Sequence, residues 1–115
     1  MTCHAIVAGY LARIDRFDKR GPAINAIIVT NPKALAIADS LDRRFAATHA
    51  IAGPLFCVPT IVKDNFQTAG LQTTAGSLAL RGWTPREDAT MVKRLEDAGA
   101  IVLAKSNMAE LAFSP

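Results

Sequence analysis

Long apolar runs are missing from this sequence. No stretch of its 115 residues approaches the roughly twenty consecutive apolar residues that a membrane helix requires. The start also lacks a charged region followed by a long apolar core. The expected compartment is therefore cytoplasmic, with no membrane partner. Aromatics are scarce, at five Phe, one Tyr and one Trp, and the 13 Lys and Arg are scattered among 10 Asp and Glu rather than gathered into a stripe. That pattern argues against a nucleic-acid partner. The two cysteines, Cys3 and Cys57, lie far apart with no close-spaced pair, so neither a disulfide framework nor a thiolate metal site is indicated, and reduced thiols are expected. No serine or cysteine has a neighbouring base, and no internal repeat, low-complexity tract or linker interrupts the chain.

What the sequence does have is apolar content. Half of its residues are hydrophobic and 20% are charged, the composition of an ordinary globular protein. Spread through several alanine-rich segments, this is more buried surface than so short a chain needs alone, and it reads as a slice of something larger.

Residues 3–20 place Ile6, Val7, Tyr10, Leu11, Ile14 and Phe17 at helical spacing, and Gly21 with Pro22 closes the pattern. The β-branched run 26–30 predicts a buried strand. Asn31 resembles an N-cap with Pro32 at the first helical position, opening a helix to about Ala47 with Leu35, Ala38, Leu41 and Phe45 inward. After Gly53 and Pro54, residues 55–63 have the continuous apolar character of a strand covered on both faces, although Pro59 argues for an edge or a bulge near its start. A long polar loop, 64–77, follows, and Ser77 caps a short helix at 78–80. Asp88 is the expected N-cap of a helix to Ala98, with Met91, Val92, Leu95 and Ala98 on one face and Gly99 at its stop. A third buried strand is expected at 100–104. Lys105 and Ser106 then turn the chain, Asn107 caps, and a last helix begins at Met108. Strands alternating with helices give an α/β fold with a mixed, partly parallel sheet.

Lys63 is the residue with chemical promise, because it is the first charge after the apolar run 53–62. Burial disfavours an ammonium, and a desolvated lysine can become a proton acceptor near neutral pH. The plainer alternative is a strand-end lysine whose ammonium reaches water. Thr60 and Lys63 imitate a hydroxyl-x-x-lysine pair, but that pair needs a helix to bring i and i+3 together. Asp64, directly after Lys63, can fix the strand end, or it can hold the lysine charged and oppose a lowered pKa. Lys105 reads as structural and solvent-directed. His4 and His49 offer Lys63 no partner.

The blocks GPLFCVPTIVKDN (53–65), TTAGS (73–77) and DATMVKRLEDAGAIVLAKSNMAELAFSP (88–115), together with the opening 10–42, resemble in order and spacing the N-terminal third of the amidase signature family. The resemblance implies part of an α/β/α sandwich, so that residues 1–115 form the N-terminal portion of a single domain. It also implies a Ser, cis-Ser, Lys triad acting on carboxamides without metal or cofactor. Only the lysine maps here, to Lys63; both serines belong to a glycine- and serine-rich stretch further on in the family. Neutral lysine takes a proton from a bridging serine hydroxyl, which in turn deprotonates the nucleophile, so no histidine is needed. Phe113 and Ser114 match a stretch that lines the acyl pocket in relatives, with helix-core packing an equal reading for Phe113.

The expected partner is thus a small-molecule amide, and the 115 residues alone are expected to be inactive. Two alternatives remain open. One is a truncated, non-catalytic remnant or interaction protein; the other is the amidotransferase branch, which passes ammonia to a charged transfer RNA. AELAFSP (109–115) looks closer to the free-standing amidases. The sequence says nothing about oligomeric state or which amide is the substrate.

Overall fold

The computed structural model describes residues 1–113, which form a three-stranded sheet with helices on both faces. Helix α1 (Cys3–Arg13) continues into a π-helical stretch, Ile14–Lys19. Strand β1 (Ile27–Thr30), helix α2 (Ala34–Thr48), strand β2 (Pro59–Lys63), helix α3 (Thr90–Asp97) and strand β3 (Ile101–Ser106) follow, with short 3-10 turns at Leu78–Leu80 and Glu110–Ala112. The strand order is β1-β3-β2: β3 lies in the centre, antiparallel to β1 and parallel to β2. The expected α/β class with a mixed sheet is what the chain adopts.

Two cores flank β3. On one face Ile101 and Leu103 pack with Cys3 and Val7 of α1 and Ala34 and Ala38 of α2. On the other, Val102 packs with Val62 of β2, Val92 of α3 and Leu71 of the long loop. The small side chains of α2 let that helix lie close to α1 and β3, which is the use this fold makes of its alanines. Gly99, at φ +95°, turns α3 into β3, and a Cβ there would sit 3.0 Å from the Phe56 Cα.

Several local expectations need correction. The first helix changes to π geometry at Ile14, and Tyr10 points to solvent instead of inward. Asn31 does not cap α2 from the position expected: its Oδ1 accepts from the Lys33 N–H at 2.9 Å, its Nδ2 donates to the Val102 carbonyl at 2.8 Å, and the helix begins three residues later, at Ala34. Phe45 of α2 and Met91 of α3 are exposed. Asp88 caps nothing; its carboxylate accepts from the Ala69 N–H at 2.7 Å and pins the long loop. Strand β2 is shorter than residues 55–63 and is not covered on both faces, since Ile61 is 49% exposed. Pro59 does mark the start of an edge strand, as its missing N–H implies.

The cysteines are the sharpest correction among the scaffold residues. Cys3 and Cys57 are joined as a disulfide with Cα atoms 4.9 Å apart, tying the start of α1 to the segment that leads into β2. Sequence separation hid the pairing, because α1 and β2 meet only through the tertiary fold. Asp42 of α2 completes this corner, its carboxylate accepting from the backbone N–H groups of Cys3 (2.8 Å) and His4 (3.0 Å) at the free N-terminal end of α1.

Candidate active site

Lys63 closes β2, where its backbone pairs with Ser106 of β3. The side chain is exposed, and among the described residues it makes neither a hydrogen bond nor an ion pair. It borders a groove of about 250 Å³ walled by Ile61, Phe66, Met91, Val92 and Leu95. Sequence reasoning placed the strand end correctly, but within these residues Lys63 is not desolvated. Desolvation there requires something laid over the open edge of β2.

The buried lysine is Lys105. Its register explains how. Thr60 pairs with Val102 but Ile61 with Ala104, so the ladder skips Leu103 and brings Lys105 opposite Val62, on the face that carries the second core. There Lys105 is fully buried, 0% exposed, and donates to the Phe66 carbonyl at 2.7 Å and to Thr73 Oγ1 at 2.8 Å. Asp64 Oδ1, also 0% exposed, lies 3.3 Å from the ammonium. Loss of solvent lowers the pKa of Lys105, and the charge of Asp64 opposes that shift. The expectation that Lys105 sits in a turn and favours solvent is therefore wrong: β3 runs through Ser106, and the lysine points into the protein.

Asp64 faces the same interior. Its Oδ2 accepts from both the N–H (2.8 Å) and the hydroxyl of Thr74, and its carbonyl accepts from the Ala75 N–H at 3.0 Å. Thr73 and Thr74 are thus buried partners of a charged pair rather than ordinary loop residues. Ser77 accepts from the Ala79 N–H, as a cap should, and donates its hydroxyl to Glu110 at 2.7 Å, which ties the long loop to the chain's last turn.

The structure does not bring Phe113 to Lys63. Phe113 is 73% exposed and lines an open hollow with Ala109, Glu110, Leu111 and Ala112, which shares no wall with the Lys63 groove. The expected terminal helix from Met108 is only the 3-10 turn. Ser114 lies outside the described residues. Cys3, Cys57 and Asp42 are the one cluster of metal-capable side chains among the described residues, and the disulfide together with the capping role of Asp42 already engages all three.

The Amidase family model matches residues 5–115. The chain belongs to the Amidase family. Among curated members, a glutamyl-tRNA(Gln) amidotransferase subunit from Alkalilimnicola ehrlichii is 45% identical over 94% of this chain and 22% of its own. Among solved amidase-family structures, the peptide amidase of Stenotrophomonas maltophilia is 43% identical with a TM-score of 0.90, over 96% of this chain and 22% of that one. An amidase family protein from Bacillus anthracis gives 37% and 0.88 over the same shares. The chain spans about a fifth of the length of these relatives, less than the third expected from the motifs.

Proposed function

We propose that these residues are the part of a carboxamide hydrolase that supplies Lys63 as the terminal base of a Ser, cis-Ser, Lys relay, the two serines lying outside them. The observation that carries this reading is the condition of Lys63: a strand-end amine without a partner among the described residues, beside an apolar groove on the open edge of the sheet. Covering that edge with the rest of an amidase domain removes water from the amine and favours its neutral form. The neutral amine accepts the proton of the bridging serine, that serine takes the proton of the nucleophile, and the nucleophile attacks the carboxamide carbonyl. Reversal of the relay protonates the departing ammonia or amine, and water then releases the acid from the acyl-enzyme. The relay calls on neither metal nor cofactor, and the partner is a small-molecule amide. Phe113 is proposed as a wall of the acyl pocket, and Ser114 with it.

The test is turnover of a peptide amide by the polypeptide that carries these residues together with the rest of the family domain. Lys63→Ala is expected to abolish release of ammonia with the melting temperature nearly unchanged. Retained turnover would end the proposal, and a large loss of stability would make Lys63 structural. The 115 residues alone are expected to be inactive.

A second reading has its own support in the amidotransferase subunits found among the curated relatives at 39 to 47% identity. In that branch the ammonia passes onward to a second substrate instead of to solvent. Free ammonia release without an acceptor separates the two. A cytoplasmic location is part of the proposal, and Cys3–Cys57 makes it testable: thiol titration of acid-quenched cells should find two free thiols in a reducing compartment and none in an oxidising one. No helix among the described residues is long and apolar enough to cross a membrane.

A further inference from the structure

An aspartate directly after a lysine that must lose its proton is badly placed, because a carboxylate within reach holds an ammonium charged. In this fold Asp64 is turned away from Lys63. Successive strand residues face opposite sides, Val62 faces Lys105, and the Asp64 carboxylate lies with Lys105 in the interior. The Lys105 amine donates to the Phe66 carbonyl and to Thr73 Oγ1 and stands 3.3 Å from Asp64 Oδ1 as an ion pair, surroundings that suit an ammonium. Asp64 Oδ1 accepts no hydrogen bond; the ion pair with Lys105 is all that compensates its burial. The same contacts hold the turn that leaves β2, where the Lys63 carbonyl accepts from the Phe66 N–H at 3.0 Å while Lys105 grips the Phe66 carbonyl.

We propose that Lys105 is a positioning residue for Lys63: it draws the Asp64 carboxylate into the fold and so keeps that charge from pairing with the Lys63 amine. This inference rests on the reading of Lys63 as the base. The groups around the two amines support it. The groove beside Lys63 is walled by Ile61 from its own strand, Phe66 from the loop and Met91, Val92 and Leu95 from α3, none of which ionises, and its sheet partner is Ser106. Lys105 meets Asp64 and Thr73 from the loop and pairs with Val29 on β1. Without Lys105, Asp64 would be a buried carboxylate with one oxygen bare, and the neighbouring cation in sequence is Lys63.

The experiment uses the polypeptide with the whole family domain and reads kcat, KM and the acid limb of the kcat/KM pH profile. Lys105→Met is expected to move that limb upward by on the order of one pH unit, with kcat at neutral pH falling about tenfold and KM staying within about twofold. Lys105→Gln, which keeps a donor but loses the charge, should move it in the same direction and serves if the methionine variant does not fold. Asp64→Asn combined with Lys105→Met should return the limb to its original position whatever the melting temperature. A limb unmoved in both single variants, or still displaced in the double variant, overturns the inference. If wild-type protein releases no ammonia, or Lys63→Ala retains turnover, the reading of Lys63 fails separately. The Lys63 Nζ titration followed by NMR then still decides this point, with a midpoint raised in Lys105→Met and restored in the double variant as the supporting result, and an unchanged midpoint as the refuting one.

Discussion

Lys63 and Lys105 each stand at the end of an apolar parallel strand, on adjacent strands and one register step apart, yet the first is in water and the second is sealed from it. Strand β3 is central, and a skipped register at Leu103 aims Lys105 beneath the loop 64–77. Strand β2 is the edge, and what faces Lys63 is an open apolar groove. The state of a strand-end lysine is therefore set by what lies over the strand, and the same local pattern yields a structural cation in one place and a candidate base in the other.

The largest test of that contrast is catalytic. Lys63→Ala should cost on the order of a thousandfold or more in amide turnover, as loss of a member of a nucleophile-activating relay does, while urea denaturation shows a stability change well below that of Lys105→Ala, since Lys63 has no charged partner among the described residues to leave unpaired. Lys105→Ala should do the reverse in stability: leaving Asp64 unpaired inside the fold should cost about 3 to 5 kcal/mol by the same measurement. Equal stability losses in the two variants would erase the distinction.

The pH dependence sharpens it. Burial holds the Lys105 pKa below its ordinary 10.5, so the folded protein binds this proton less firmly than the unfolded chain does. The cost of the buried ammonium is thus fully present below the folded-state pKa and fades as pH rises from that value to 10.5. Relative to Lys105→Met, the wild-type protein should gain stability across that window, as melting curves recorded over it would show.

Smaller effects belong to the scaffold. Reducing Cys3–Cys57 should lower stability by about 2 to 4 kcal/mol, measured as denaturation with and without dithiothreitol, since the bond closes a long loop between α1 and β2. Asp18 gives the smallest effect. Burial alone would raise its pKa, but the Lys19 ammonium and the Ala26 and Ile27 N–H groups outweigh that and lower it below 3.8. Its contribution is present above pH 3.8 and lost as pH falls through the depressed value, so Asp18→Asn should remove an acid-side slope from the melting profile without changing turnover.

Much of the fold was legible because it is written in local patterns. The apolar runs at 26–30 and 100–104 found β1 and β3 within two residues, Gly99 marked the end of α3, and Pro59 marked an edge strand. The candidate site was legible only in part. Alternation along β3 gave no sign of the skip at Leu103, so the depth of Lys105 was hidden, and with it the roles of Asp64, Thr73 and Thr74. A polar cluster of this kind leaves one hint in sequence: a charged residue within a strand and an opposite charge opening the loop that covers it.

By itself the sequence determined the order of helices and strands, the end of β2 at Lys63 and membership of the Amidase family, because each depends on residue type and spacing along the chain. The tertiary structure decided which lysine is dry, which carboxylate neutralises it and that Cys3 meets Cys57. Those outcomes depend on register, on which strand is central and on which elements are stacked against it, and each brings together residues that the sequence keeps far apart.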